Sequence, residues 1–357
     1  MEISDTDKKK LFTLFSDIKD TSSISNGLNK NQNSDVLIVD ALNLFIRVWS
    51  VSPYMNEDGI HTGGISGFLK SLGSAIKLLN PTRCILVFDG VGGSQKRRKL
   101  FPEYKNKRRT TVRINRTYSE NTDPSTEEEN MKKQLIRTVS YLDYLPITVL
   151  SVDNVEADDV IAYLATEKFK ENNVTIMSSD KDFLQLASDK VKIWSPTKKK
   201  MYGCAELLLE YGISCQNFIN YRILEGDNSD NIDGIFGAGL KTIIKCFPIF
   251  SDPKRYTVEE ILNYCENNKG KYKLYNTILE NQSILKRNYE LMQLNKSEIQ
   301  SFTQLRINDL VDAEQHRLNR FQISKLITED KIWNNLPNYQ VWLSEVFGKL
   351  DNFVPVK

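Results

Sequence analysis

Nine acidic residues lie in five short runs of the sequence, and their types point to metal chemistry. Three of these runs end or follow apolar stretches that indicate buried strands. A parallel sheet gathers the carboxyl ends of its strands at one edge, where its site lies. Two unit charges about 4 Å apart repel by roughly 4 kcal/mol at an effective dielectric near 20, so carboxylates gathered there need cations. The nine are Asp40, Asp89, Glu156, Asp158, Asp159, Asp180, Asp182, Asp227 and Asp230.

Oxygen-only ligands favour Mg²⁺ or Mn²⁺, and the pattern therefore predicts a phosphodiesterase site with two such ions. Spacing within two of the runs supports convergence. Asp180 and Asp182 are two residues apart at a strand end, so their side chains can face the same way. Asp227 and Asp230 are three apart, so on a helix they would share a face.

The run VEADD needs a specific local structure if its acids are to converge. On a helix Glu156 and Asp159 share a face, whereas Asp158 lies about 200° from Glu156. We therefore expect Glu156 to precede the regular helix. A single Asp beside a strand or in a turn is usually a cap or a turn residue. Five separate runs, three of them tied to strands, favour the site over that alternative.

The strands and helices predicted around these acids indicate an α/β fold. Its central sheet would be mainly parallel and flanked by helices. Apolar runs predict strands near 36–39, 84–88, 147–152, 174–177 and 191–194, with helical patterns between them. After about residue 204 strand signals stop and helices are expected. The predicted regions are a flexible N-terminal extension (1–34), an α/β nuclease core (35–203) with a basic arch at about 95–120, and a helical region (204–357).

Composition excludes several other classes of protein. Net charge is +2, and the five cysteines are an odd number without a CxxC pair. We therefore expect a reducing compartment, no disulfide framework and no zinc site. Two histidines leave little room for histidine chemistry. No apolar stretch approaches 18 residues and the N-terminus lacks a signal-peptide core, so a cytoplasmic protein is expected, in the host cytoplasm if a phage encodes it.

Three motifs carry a resemblance to a known family. VEADD, SSDKDF and GDNSDNIDGIFGAGLKT resemble the 5′-nuclease family, which includes flap endonucleases, the 5′-nuclease domain of bacterial DNA polymerase I, and the phage enzymes called RNase H. VKIWSPTKKK is most similar to the phage branch, and the resemblance covers roughly residues 35–247. It implies that Asp40, Asp89, Glu156 and Asp158 mostly serve one metal ion. It assigns the second ion, directly or through water, to Asp159, Asp180, Asp182, Asp227 and Asp230.

Residues 95–117 hold ten Lys or Arg against one Glu. Such a run could be a solvated charged loop or a phosphate-binding arch. FPEYKNKRR resembles the helical gateway of the family, which implies that Lys105 and Arg108 reach the scissile phosphate. Tyr104 is expected to stack on a base near the cut. The remaining cations expected to attract the strand without reading its sequence are Arg97, Arg98 and Arg109.

A glycine-rich turn carries the last group of predicted contacts. Gly234, Gly237 and Gly239 lie between helical segments and follow no strand, which counts against a dinucleotide loop. The resemblance implies a helix–three-turn–helix element at about 230–247 that grips duplex DNA through its backbone, with K⁺ on carbonyl oxygens. Lys241 would face a phosphate. Asp233 stands where the family often has Pro.

These patterns together predict a metal-dependent, structure-specific 5′ nuclease with exonuclease, flap endonuclease and RNase H activity. It would remove RNA primers and 5′ flaps, acting as a monomer on flapped or nicked DNA and on RNA–DNA hybrids. A single-strand-binding protein or a clamp is a candidate partner. The alternatives are a PIN-type single-strand ribonuclease and a non-catalytic DNA-binding or scaffold protein. The glycine turn and the run GDNSDN argue against the first, because duplex binding would then be unused, and the full acidic set argues against the second.

Overall fold

A computed structural model describes residues 32–106, 124–294 and 299–355 of the chain, without the side chains of 124–126. Most of the predicted N-terminal extension, much of the basic arch, and two predicted contact residues, Arg108 and Arg109, lie outside the described residues.

Strands and helices are interspersed along the chain up to residue 203. The strands are β1 (Asp35–Asp40), β2 (Arg83–Asp89), β3 (Thr148–Val152), β4 (Asn173–Met177), β5 (Val191–Ser195), β6 (Lys200–Tyr202), β7 (Gly226–Asp227) and β8 (Ile232–Asp233). The α-helices are α1 (Ala41–Val51), α2 (Gly63–Leu79), α3 (Gln95–Leu100), α4 (Pro124–Leu142), α5 (Ala157–Tyr163), α6 (Cys204–Tyr211), α7 (Phe218–Glu225), α8 (Leu240–Cys246), α9 (Val258–Asn267), α10 (Lys273–Glu280), α11 (Gln282–Met292), α12 (Ser301–Asp312), α13 (Arg320–Asp330) and α14 (Tyr339–Asp351).

The central sheet has the strand order β3-β2-β1-β4-β5-β6. Neighbours from β3 through β5 are parallel, and β6 pairs antiparallel with β5. Residues Val36–Val39 of β1 are almost fully buried, as expected for the middle strand of a sheet covered on both faces. The predicted α/β class and its five strands are confirmed. The three residues of β6 were not predicted, nor were the two-residue strands β7 and β8, which lie after residue 204 where strands were expected to stop. Strands this short have no period to detect.

Alternation along β1 divides the core into two layers. Val36 and Ile38 face one layer, which includes α5, α7 and α9 to α11. Leu37 and Val39 face the other, which includes α1, α2, α13 and α14. The helices expected after residue 204 are therefore present and cover both faces of the sheet, and residues Gln32–Lys357 form one compact unit.

One expectation about the cysteines is wrong. Cys204 and Cys215 form a disulfide, whereas Cys84, Cys246 and Cys265 are free and buried. The start of α6 and a short turn at Cys215–Asn217 lie side by side, with the two Cα atoms 5.1 Å apart. An odd number of cysteines and the lack of a CxxC pair carry no information about such a contact, because packing of the intervening residues creates it.

Among the described residues, no helix is both long and apolar enough to cross a membrane.

Candidate active site

The carboxyl edge of the sheet brings together acids from the two strands β1 and β4. Asp40 is the last residue of β1, and its Oδ1 accepts a hydrogen bond from the Asn43 amide at the start of α1 (3.2 Å). The Ser178 hydroxyl donates to Asp40 Oδ2 (3.0 Å) and accepts from the Asp180 amide (3.1 Å). Asp40 and Asp180 therefore lie close together, as the strand pattern predicts. The hydroxyl of Ser178 joins them.

The neighbouring strand and the next helix supply three further acids to this edge. Asp89 ends β2, and its Oδ1 accepts a hydrogen bond from the Ala157 amide at the start of α5 (3.0 Å). Glu156 has extended backbone and precedes α5, which confirms the expectation drawn from the VEADD spacing. Asp158 and Asp159 lie in the first turn of α5, where the helix dipole favours negative charge.

Electrostatic effects among these side chains show that they share one environment. Burial, followed by repulsion from Asp180 and Asp89, raises the pKa of Asp40 to about 7. Burial also raises the pKa of Asp158 well above its usual value, and repulsion from Asp40 and Asp180 adds to this, although Lys105 opposes it. The acids therefore destabilise one another's ionised forms, as expected where a cation belongs.

Glu156 and Asp159 are held by basic residues from α3 and the segment after it. Arg97 Nη1 lies 2.6 Å from Glu156 Oε2 and 2.7 Å from Asp159 Oδ2, and its Nη2 donates to Asp159 Oδ1 (2.9 Å). Lys105 Nζ lies 3.1 Å from Glu156 Oε1. Burial opposes ionisation of Glu156, but Lys105 and Arg97 together lower its pKa. The negative charge of Glu156 is therefore largely matched by protein cations.

These contacts correct two of the roles predicted for the basic segment. Tyr104 is only 3% exposed, and its hydroxyl lies within hydrogen-bond distance of Glu156 Oε2 (3.2 Å) and Asp230 Oδ2 (3.3 Å). Its ring is therefore not available to stack on a base. Arg97 lies inside the acidic group rather than facing incoming DNA. Arg98, on α3, is only partly buried, and its predicted attraction for the strand stays a prediction.

Arg222, on α7, was not predicted and holds three acids at once. Its Nε donates to Asp182 Oδ1 (2.7 Å), its Nη1 to Glu225 Oε2 (2.6 Å) and its Nη2 to Asp227 Oδ2 (2.8 Å). Burial and then Asp180 raise the pKa of Asp182 to about 7 despite this partner. The only sequence signal for Arg222 is a charged residue within the apolar segment FINYRILE.

The spacing of Asp227 and Asp230 suggested a shared helix face, and this expectation is wrong. They lie where the chain turns between β7 and β8. The Asp227 carboxylate accepts from the Ser229 amide and hydroxyl (both 2.7 Å), which folds the turn on itself. Asp230 lies beside Tyr104, and its carbonyl accepts from the Lys105 amide (2.9 Å). The turn therefore brings both acids to the site by a different route.

Within the described ranges, no group of three or more His, Cys, Asp or Glu side chains is close enough together to hold a metal ion as it stands. The donor chemistry nevertheless fits a hard divalent cation, because the acids offer only carboxylate oxygens. No ion pair between described residues uses Asp40, Asp89, Asp158 or Asp180. We call these four side chains the acidic centre. A cavity of about 520 Å³ adjoins it, lined by residues that include Asn43, Asp180, Arg222 and Asp227.

The glycine turn lies between α7 and α8 and divides the predicted glycines into two kinds. At Gly234, a Cβ would lie 2.1 Å from the Glu225 carbonyl oxygen, so its role is close packing against α7 rather than DNA contact. At Gly237 and Gly239, a Cβ would meet nothing within 4 Å. Lys241 is exposed in the first turn of α8. Gly237, Gly239 and Lys241 are thus accessible to a ligand.

Comparison with known proteins gives a consistent set of similarities. The N-terminal resolvase-like domain of 5′-3′ exonucleases matches residues 35–212. The chain is 33% identical to the 5′-3′ exonuclease of Aquifex aeolicus over 221 residues, which are 61% of this chain and 68% of that one. It is 31% identical to DNA polymerase I of Bacillus subtilis over 247 residues, 67% of this chain but only 26% of the polymerase.

Its fold is similar to the flap endonuclease of bacteriophage T5, solved as a pseudo-enzyme–product complex with DNA and metal ions. The TM-score is 0.58 at 20% identity, and the match covers 83% of this chain and 97% of the phage protein.

Proposed function

From this chain's membership of the 5′-3′ exonuclease family, which makes it a 5′ nuclease, we propose that it removes RNA primers and 5′ flaps with divalent metal ions. The observation that carries the proposal is the gathering of Asp40, Asp89 and Asp180 at the carboxyl ends of three adjacent parallel strands. Mutual repulsion at such an edge is relieved by a cation. The same edge adjoins the cavity of about 520 Å³.

The proposed ions are two Mg²⁺ or Mn²⁺, divided between two sets of acids. Asp40, Asp89 and Asp158 would hold one ion, with Glu156 beside them. Asp180, Asp182 and Asp227 would hold the other, and Asp159 and Asp230 would act through water or their bound partners. When bound, such ions supply an activated water and stabilise the leaving oxygen. Oxygen ligands throughout support Mg²⁺ or Mn²⁺ over softer metals.

Lys105 and Arg108 are proposed to hold the scissile phosphate and offset its developing charge. Lys105 has a φ of +57°, a conformation that costs a residue with a side chain roughly 1–2 kcal/mol. Strain of this kind is maintained where the surrounding structure imposes it, often at functional sites. The hydrogen bond from the Lys105 amide to the Asp230 carbonyl, together with the contact between Nζ and Glu156, holds Lys105 in this conformation. This supports a role for Lys105 beside the acidic centre.

The glycine turn is proposed to contact the backbone of a duplex arm, with K⁺ on carbonyl oxygens and Lys241 near a phosphate. The open space at Gly237 and Gly239 supports this, because the phosphate backbone can approach closely only where no side chain intervenes. A monomeric state and binding to a single-strand-binding protein or a clamp stay predictions.

Three substrates distinguish this proposal from its alternatives. With Mg²⁺, we expect cleavage of a 5′-flapped duplex and of the RNA strand of a hybrid with a free 5′ end. A chelator should stop both reactions, and a plain single-stranded RNA should be cut slowly. Time courses on labelled strands, with and without Mg²⁺, measure this. Preferential cutting of the single-stranded RNA would instead indicate a PIN-type ribonuclease, and no cutting of any substrate would indicate a binding protein.

Two glycine substitutions should separate folding from duplex binding. We expect Gly234→Ala to lower the free energy of unfolding by about 1–3 kcal/mol, because its Cβ would overlap the Glu225 carbonyl. We expect Gly239→Ala to leave stability within about 0.5 kcal/mol, since its φ of −76° suits alanine and its surroundings are open. Urea unfolding measures both values.

Gly239→Ala should nevertheless weaken binding to a substrate with a duplex arm and spare a short single strand. Equal loss of affinity for both substrates would contradict a duplex contact at this turn. Fluorescence anisotropy with matched labelled oligonucleotides makes the comparison.

A further inference from the structure

Arg222 connects two parts of the site that are far apart in the sequence. Asp182 follows β4 at the carboxyl edge of the sheet, whereas Asp227 begins the turn after α7. The Arg222 guanidinium bonds both carboxylates at 2.7 and 2.8 Å, and only 4% of its side chain is exposed. A buried guanidinium that bonds two carboxyl groups makes short, directional bonds, so it fixes the two groups relative to each other.

The remaining atoms of this group are also fixed. Arg222 Nη1 bonds the Gly226 carbonyl (3.2 Å) and Glu225 Oε2, while Glu225 Oε1 accepts from the Tyr221 hydroxyl (2.5 Å). Gly226 itself has a φ of +77°, and a Cβ there would lie 2.3 Å from the Gly234 amide. The guanidinium is therefore joined to the packed base of the glycine turn as well as to Asp182.

The cavity beside the acidic centre lies between these two parts. Asn43, Ser179 and Asp180 line it from the sheet edge, and Arg222 and Asp227 line it from the α7–β7 junction. Each of the two carboxylates turns one oxygen to Arg222. The orientation of each carboxylate thus depends on the guanidinium, and Asp227 also lines the cavity.

We propose that Arg222 is a positioning residue, which orients Asp182 and Asp227 as ligands for a divalent ion and ties that ion position to the glycine turn. The inference rests on the proposed function for the presence of an ion near Asp180. It adds a residue that acts on the metal ion through the ion's carboxylate ligands and so determines how well the ion is held. Partners of this kind typically change metal affinity by about 10- to 100-fold when they are removed.

The alternative role for Arg222, simple neutralisation of charge, predicts an effect of the opposite sign. A cation beside two carboxylates lowers their attraction for a metal ion. If neutralisation were its only role, removal of the charge would raise metal affinity, and lysine would replace arginine without loss. If Arg222 positions the carboxylates, both substitutions lower affinity, because a lysine ammonium lacks the planar fork that bonds two acids at once.

The experiment is a calorimetric titration of the chelator-treated full chain with MnCl₂, comparing wild type, Arg222→Lys and Arg222→Gln. We expect the affinity for Mn²⁺ to fall about tenfold in Arg222→Lys and by as much as 100-fold in Arg222→Gln. Arg222→Lys keeps the buried positive charge and so serves as the variant that folds if Arg222→Gln does not. Thermal unfolding of each variant confirms that it is folded at the titration temperature.

Arg137→Lys is the matched control. Arg137 also bonds two acids, Glu329 (2.7 Å) and Asp330 (2.9 Å), but it joins α4 to α13 away from the acidic centre. It should bind Mn²⁺ as wild type does. Unchanged or higher affinity in Arg222→Lys would overturn the inference. Absence of Mn²⁺ binding by wild type would instead overturn the proposed metal dependence, so the two failures are distinguishable.

Discussion

Replacement of Asp180 by asparagine is expected to abolish cleavage while the protein stays folded and bound to DNA. Asp180 Oδ1 accepts the Asp182 amide (2.8 Å) and caps the short helix Lys181–Leu186, and an asparagine oxygen can accept the same bond. The substitution therefore keeps the local structure and removes one charge from the acidic centre. If the proposed ions are lost, several kcal/mol of transition-state stabilisation is lost with them. A loss of about 4 kcal/mol lowers the rate about 10³-fold.

Single-turnover cleavage of a 5′-flapped duplex in Mg²⁺ measures the effect. DNA affinity should stay within about tenfold, or roughly 1.4 kcal/mol, because loss of a negative charge does not weaken attraction to phosphate. Asp312→Asn is the matched control, since Asp312 pairs only with Lys168 among the described ion pairs and is largely exposed. It should cleave at the wild-type rate. A rate for Asp180→Asn close to that of wild type would remove Asp180 from the proposed metal ligands.

The strand-end acids could be predicted because the geometry of a parallel sheet fixes where they lie. In the register of β1 with its neighbours, Asp40 lies opposite Val87, two residues before Asp89, and Val39 lies opposite Met177. Once the apolar runs are recognised as adjacent parallel strands, their last residues must meet at one edge. No knowledge of side-chain packing is needed for this step.

The acids of the glycine turn were misplaced because a helical period was assumed for them. Gly226 and Gly234 approach each other so closely that β7 and β8 pair and the helix ends at Glu225. Gly226 and Gly234 are eight residues apart in the sequence. The spacing of neighbouring residue types does not reveal a contact between them. The local structure predicted for Asp227 and Asp230 is therefore wrong, whereas their role as metal ligands stays a prediction.

The partners of the acids could not be predicted for a related reason. A count of charges shows that the basic segment is rich in cations, but it does not show which of them fold inward. Arg97 lies in the acidic group because its Nε bonds the Leu291 carbonyl (2.8 Å), which anchors α3 to the end of α11. Arg222 and the Cys204–Cys215 disulfide depend in the same way on tertiary packing.

The second large effect is expected at Lys105, where a structural role and a catalytic role lead to different results. Its Nζ lies 3.1 Å from Glu156 and 4.0 Å from Asp230. If Lys105 only balances these acids or attracts DNA, Lys105→Met should lose stability or affinity and recover the wild-type rate at saturating DNA. If it also contacts the scissile phosphate, the rate at saturation should fall by about 10²-fold or more, as for removal of a charge-stabilising donor.

We expect the fall in rate, because Lys105 reaches Glu156, beside the acidic centre, from a strained backbone position that its hydrogen bond to Asp230 maintains. Single-turnover rates at saturating flap substrate measure it, and the slope of log affinity against log salt should decrease by about 0.9 for the lost phosphate contact. Lys168→Met is the matched control, because Lys168 is similarly buried and pairs with Asp312 at 2.6 Å. A saturated rate within threefold of wild type, with a changed salt slope, would limit Lys105 to attracting the strand.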